Sequence, residues 1–172
     1  MTRDQKIVVT GAASGVAAMV SVLTGLYLLW PYGLAAPDLG RRLAYALQAN
    51  AFAAVPLLLS IMAVGNNRFL TEAIDPTLQK EDAATRVNAR VVDNTLQQFV
   101  LFFAATLALS VTLAETQLKI IPAAAVVFVG ARIAFWIGYR IHPLYRAFGM
   151  AATGFLNLGL LAFALWKASP GI

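Results

Sequence analysis

Arg86-Val-Asn-Ala-Arg-Val-Val-Asp-Asn-Thr-Leu-Gln-Gln-Phe-Val-Leu-Phe-Phe103 is the stretch on which the fold turns. Its first half is polar, and from Phe99 to Ser110 the chain is almost wholly apolar. With about 100° between successive residues of a helix, Arg90, Asn94 and Gln97 fall within a narrow arc on one side. The stretch therefore reads as a helix that starts outside a membrane and runs into it. Polar groups at the mouth of such a helix are costly unless they line a cavity or find partners, which makes this arc a candidate site.

The rest of the chain agrees. Of its 172 residues 60% are hydrophobic and only 12% charged, and the mean hydropathy is +0.73. A soluble domain carries about a quarter charged residues, so the composition specifies an all-α integral membrane protein. Five apolar segments are visible, at 7–30, 43–64, 91–113, 120–137 and 144–166. Each is near the roughly 20 residues that cross a bilayer. Asp75-Pro76 reads as an N-cap followed by proline at the first helical position, so the third helix is expected to begin well before its span. Pro143 separates the fourth segment from the fifth. Arg3 and Lys6 precede the first segment as in a secretory signal, but its apolar region exceeds the usual 7–15 or so residues. Ala35-Ala36-Pro37 is also a poor cleavage context, so this segment is expected to be a retained helix.

The net charge of +5 comes from basic residues at segment ends rather than from a patch interleaved with aromatics, which speaks against nucleic acid. With the N-terminus cytoplasmic, that side receives Arg3, Lys6, Arg68, Lys80, Arg86, Arg90, Arg140 and Arg146, and the other Arg41, Arg42, Lys119 and Lys167. The bias favours N-terminus in and C-terminus out. The expected location is a bacterial inner membrane, there being no eukaryotic retention signal at Ser169-Pro-Gly-Ile172. No cysteine is present and His142 is the single histidine, so no metal thiolate or multi-histidine metal site exists.

One motif is set aside. Lys6-Ile-Val-Val-Thr-Gly-Ala-Ala-Ser-Gly-Val-Ala17 is similar to the nucleotide-binding start of short-chain dehydrogenases. The last glycine of that pattern is Ala17 here, and no acidic residue follows some twenty positions later. Gly11 and Gly15 read better as a small-xxx-small face for close helix packing in lipid.

Taken singly, the polar groups have structural readings. Arg86, Arg90, Arg140 and Arg146 can anchor at headgroups, and Asn94, Gln97, Gln98 and Asn157 can tie helix to helix. Arg132, inside the fourth span, is expected to pair with Asp93 or with backbone carbonyls. Tyr139 and Trp136 fit an aromatic belt. Taken together, cations and carboxamides near one membrane surface beside an apolar wall suit a small carboxylate-bearing amphiphile and a hydrophobic co-substrate.

Arg90-x3-Asn94-x2-Gln97 followed by Phe99-Val-Leu-Phe-Phe103 resembles the signature helix of the membrane-associated proteins in eicosanoid and glutathione metabolism (MAPEG). Gly138-Tyr139-Arg-Ile-His-Pro-Leu-Tyr-Arg146 is similar to that family's tyrosine with an arginine seven residues on. The resemblance covers about 43–166. It implies a four-helix MAPEG-like bundle at 37–172 plus one extra N-terminal transmembrane helix at 1–36, assembled as a homotrimer.

It also implies glutathione as co-substrate, in a transferase or peroxidase acting on lipophilic electrophiles or hydroperoxides. Arg146 would face the thiol, and Arg90, Asn94, Gln97 and Tyr139 would hold the tripeptide, with Arg68 and Arg86 as further carboxylate partners. Phe99, Phe102 and Trp136 would form the lipid-side wall. Gln97 departs from the family's glutamate, whose charge would pair with the glutathione amine. Gln98 and Phe135 stand where leukotriene-synthesising members have tyrosines. A non-catalytic lipid-binding or scaffold protein of the same fold is the rival reading; the loss of the glutamate favours it, and Arg146 and Tyr139 oppose it. A channel or transporter has little support, because Arg132 is the one clear mid-span charge and no repeat is apparent.

Overall fold

A computed structural model describes residues 1–30, 38–78 and 80–169. The expected 36/37 domain boundary, the Ala35-Ala36-Pro37 context and the last three residues lie outside them. The described residues form six helices: α1 (Arg3–Leu29), α2 (Leu39–Ala53), α3 (Val55–Phe69), α4 (Ala83–Thr112), α5 (Ile120–Ile141) and α6 (Ala147–Ala168). Short 3-10 turns lie at Glu72–Ile74, Pro76–Leu78 and Glu115–Gln117. Five stretches are long and apolar enough to cross a membrane, with α2 and α3 together forming one of them, Leu39–Phe69. The five-span all-α reading therefore stands.

The second span is divided, which the apolar pattern did not announce. The break falls at Ala54, two residues before Pro56. A proline has no N–H to donate and its ring crowds the carbonyl four residues back, so the helix ends and restarts around it. The helix of the third span begins well before that span, as expected, but from a different cap. Asp75 does accept from the Thr77 amide (2.9 Å) and hydroxyl (2.6 Å), but it closes only a 3-10 turn. These two bonds hold the Asp75 carboxyl below its ordinary range. The N-cap of α4 is Asp82, whose carboxylate accepts from Thr85 N at 2.7 Å. Two aspartates seven residues apart carry the same cap chemistry, and the local proline drew the reading to the wrong one.

The core lies among α4, α5 and α6, with α2 and α1 against it. Phe102 and Phe128 are fully buried, their ring centroids 4.7 Å apart. Phe102 thus belongs to the core and not to a lipid-side wall. Carboxamides tie the helices as expected for polar groups inside a bundle. Asn50 of α2 donates to Thr106 of α4 at 2.9 Å, and Asn157 of α6 donates to the Gln98 side chain at 2.8 Å. Trp136 donates to Asn88 at 2.8 Å.

α1 begins with a reciprocal cap between Thr2 and Gln5. It then runs unbroken through Gly11 and Gly15, so the glycines form no phosphate-binding loop. A Cβ at Gly15 would strike the carbonyl of Phe148, and one at Gly11 would touch Ala147 Cβ at 3.5 Å. The small face is a close crossing of α1 on α6, and α1 packs chiefly on α6 and next on α5.

Candidate functional site

Arg90 and Asn94 of α4, Tyr139 of α5 and Arg146 at the start of α6 line one cavity of about 480 Å³. Its apolar wall is built by Phe135, Leu144, Ala147, Met150 and Ala151, together with Val8 and Ala12 of α1. The convergence on this cavity has local causes. One turn separates Arg90 from Asn94, so both point to the same side of α4. Tyr139 lies one turn beyond Phe135 on α5, and the two rings meet edge to face at 5.8 Å.

Arg146 arrives by a tight reversal. α5 ends where His142 turns extended ahead of Pro143. The chain then folds back through bonds from Tyr145 N to His142 O (2.9 Å) and from Ala147 N to Leu144 O (3.2 Å). A Cβ at residue 138 would stand 2.7 Å from the Tyr145 carbonyl oxygen, so only glycine lets the turn approach the end of α5 this closely. Gly138 is thus a site-building residue that the motif quoted but did not explain.

The hydrogen bonding sets the character of the cavity. Tyr139 Oη accepts from Arg146 Nη1 at 3.1 Å and, more weakly, from Arg90 Nη1 at 3.5 Å. The Arg146 guanidinium also lies 5.0 Å from the centre of the Tyr139 ring. With both guanidinium groups donating to it, the phenol has its own proton to offer. Asn94 is oriented from behind. Arg132, 1% exposed, donates to Asn94 Oδ1 at 2.9 Å, to Thr95 Oγ1 at 2.9 Å and to Thr153 Oγ1 at 3.2 Å, and stacks on Phe135 at 4.0 Å. The expected pairing of Arg132 with Asp93 or backbone carbonyls is replaced by this set of neutral side chains. Because the Asn94 oxygen is engaged by a cation, its amino group is left for the cavity. The polar lining is therefore two guanidinium groups, an amide N–H₂ and a phenol, with no carboxylate among the lining residues.

Three of the expected binding residues are not in this lining. Arg68 pairs with Glu81, with Nε 3.0 Å from Oε1. Arg86 donates to the Glu81 carbonyl at 2.6 Å. Gln97 shares the arc of Arg90 but is exposed on the outer side of α4, as is Asp93. Neither Phe99 nor Trp136 lines the cavity, where Phe135, Met150 and α1 supply the apolar wall instead. The α1 contribution left no mark in the sequence, since Val8 and Ala12 look like any residues of an apolar span.

No solved structure matches the chain. Among curated proteins it is 28% identical over 159 residues to Transmembrane protein 79 of Mus musculus, covering 90% of this chain and 40% of that protein. The corresponding protein of Bos taurus is 27% identical over 147 residues, covering 85% and 36%. The chain thus spans about two fifths of the length of these mammalian relatives. The model of the MAPEG family matches residues 16–166. That match takes in α4, α5, α6 and the second half of α1, and so the motifs of the cavity sit where the whole chain's likeness lies: the protein belongs to the MAPEG family.

Proposed function

We propose that this chain is a glutathione-dependent transferase or peroxidase that joins a glutathione thiolate to lipophilic electrophiles, or reduces lipophilic hydroperoxides, at the membrane. The observation that carries this reading is the donor-only lining of the cavity, with Arg90, Arg146, the Asn94 amide and the Tyr139 hydroxyl beside an apolar wall. Such a lining suits an anion with several acceptor groups, and glutathione brings two carboxylates and a thiol that must ionise.

A thiol with a pKa near about 8.5 is mostly protonated at neutral pH, and the thiolate is the nucleophile. Arg146 is the catalytic residue: its guanidinium stabilises the thiolate and favours loss of the proton. Tyr139 donates a hydrogen bond to the same sulfur, and Arg90 and Asn94 hold the peptide. In the transfer reaction the sulfur forms a bond to the electrophilic carbon as the leaving group departs with its electron pair. With a hydroperoxide the thiolate attacks the distal oxygen, and the O–O bond breaks to leave a sulfenic acid on sulfur and an alkoxide that is protonated to the alcohol. A second glutathione thiol attacks the sulfenic sulfur to give the disulfide and water.

The working unit is a homotrimer in this reading. Arg86, Asp93 and Gln97 are exposed on a spanning helix. Polar groups facing lipid are costly, and a neighbouring copy packed on that face removes the cost. In this reading the N-terminus is cytoplasmic, an orientation that the distribution of basic residues favours. Arg86 and Gln97 then serve this outer face rather than the cavity within one subunit, and Arg68 stays paired with Glu81.

The exclusion of Gln97 from the cavity favours the second reading, a lipid-binding or scaffold protein without turnover. Equilibrium binding of glutathione to detergent-purified protein decides between them. Saturable binding that is lost in Arg90→Ala and Asn94→Ala is the expected result. Absence of binding to the unaltered protein would remove the glutathione reading and leave the scaffold.

A further inference from the structure

The first helix is more than a membrane anchor, because its residues face the reacting cavity. Val8 and Ala12 lie one turn apart on α1, and Ala147 and Ala151 lie one turn apart on α6; all four line the cavity that holds Arg90, Tyr139 and Arg146. The α1–α6 distance is set by Gly15, whose missing side chain lets α1 rest on the Phe148 backbone. A Cβ at Gly11, next to Ala12, would be in van der Waals range of Ala147. The two helices therefore make a single apolar wall of small side chains opposite the cationic side. Remove α1 and that side of the cavity is open to the bilayer along Ala147, Met150 and Ala151. The match to the family begins at residue 16, beyond both Val8 and Ala12. The α1 half of the wall is thus built from residues outside the part of the chain that the family match covers.

Resting on the proposed glutathione chemistry, we propose that α1 is the specificity-determining element of this site. Val8 and Ala12 limit the apolar part of the co-substrate, and Ala12, the smaller of the two, is the position at which the limit is set. The class favoured is a compact lipophilic electrophile or hydroperoxide lying against the α1–α6 wall, not an extended acyl chain. The α1 residues in the lining, Val8 and Ala12, carry no polar side chain, so size selection and thiol binding are separable.

S-alkyl glutathiones test this, since they keep the peptide and vary the apolar group. Ala12→Phe should leave S-methylglutathione affinity within about twofold. It should weaken S-hexylglutathione about tenfold, roughly the effect of denying burial to two methylenes. The chain contains no cysteine, so a single introduced thiol reports on position directly. In Ala12→Cys, bound S-hexylglutathione should slow maleimide labelling. In Val9→Cys, on the 52% exposed outer face of α1, it should not. Binding of both probes with Ala12→Cys left unprotected would overturn the inference while the glutathione reading stood. Equal weakening of both probes by Ala12→Phe in a folded protein would do the same. If Ala12→Phe fails to fold, protection of Ala12→Cys decides alone. If neither probe binds the unaltered protein in an Arg90-dependent way, the glutathione reading itself has failed and the inference falls with it.

Discussion

Arg132 is the buried cation of the bundle, and its effect on the site should be measurable through Asn94. Its guanidinium holds the Asn94 oxygen at 2.9 Å, which leaves the Asn94 amino group facing the cavity. Replacing Arg132 by methionine frees the carboxamide to flip between about two orientations and to sample roughly three χ1 wells. The competent fraction then falls to no less than about one sixth, a loss of up to about 1 kcal/mol in ligand binding. Asn94→Ala removes a hydrogen bond to a charged ligand, a change of about 1.5–3 kcal/mol. In a double-mutant cycle read by glutathione binding, Asn94→Ala should therefore cost about 1 kcal/mol less in the Arg132→Met background than in the unaltered protein. Loss of the Arg132 charge also weakens an anion, but that effect is common to both arms and cancels from the coupling. The folded state should tolerate the change. Methionine fills most of the volume and removes a buried charge that has no carboxylate partner among the described residues, while the Thr153 hydroxyl keeps its bond to the Gly149 carbonyl. The cost is that of the donor lost to the buried Thr95 hydroxyl, about 1–3 kcal/mol. Arg132→Ala should be worse, because it leaves a void. Costs that add within about 0.3 kcal/mol would refute the positioning role and reduce Arg132 to a packing residue.

Two further outcomes follow from the α5–α6 turn. Arg146→Ala should lower turnover far more than glutathione affinity, by about a hundredfold if its guanidinium contributes about 2.7 kcal/mol to the developing thiolate; equal turnover in steady-state assays would remove it from the mechanism. Gly138→Ala forces a Cβ to 2.7 Å from the Tyr145 carbonyl oxygen. The expected overpacking cost is about 1–3 kcal/mol in a thermal or denaturant melt, with a fall in activity because Arg146 moves with the turn.

Hydropathy located five spans because bilayer thickness leaves little freedom in the length of an apolar helix. It could not locate the Ala54 break, since the residues around Pro56 stay apolar on both sides. It also could not choose between Asp75 and Asp82 as the cap of α4, because capping depends on one local side chain and a few backbone amides. Within the site, Arg90 and Asn94 were legible because they share one helical arc, and Tyr139 and Arg146 because their sequence resembles the family's tyrosine with an arginine seven residues on. Gln97 was legible by the same rule and yet lies off the cavity. An arc on one helix specifies a direction, whereas a cavity depends on which neighbouring helix stands opposite.

That distinction explains why the apolar half of the site was hidden and the polar half was not. A guanidinium in a spanning helix is costly to place, so its presence demands a reason that can be read residue by residue. An alanine facing a cavity and an alanine facing lipid have the same chemistry. Val8, Ala12, Met150 and Ala151 acquire their roles only from the approach of α1 to α6, which Gly15 permits by lacking a side chain. Phe102 shows the converse: it sits in an aromatic run beside the polar arc, but α5 brings Phe128 against it and makes it core. In the proposed reaction, thiol activation is therefore tied to residues whose cost fixes their position. The proposed co-substrate selection is tied to a helix crossing that a single methyl group at residue 15 would displace.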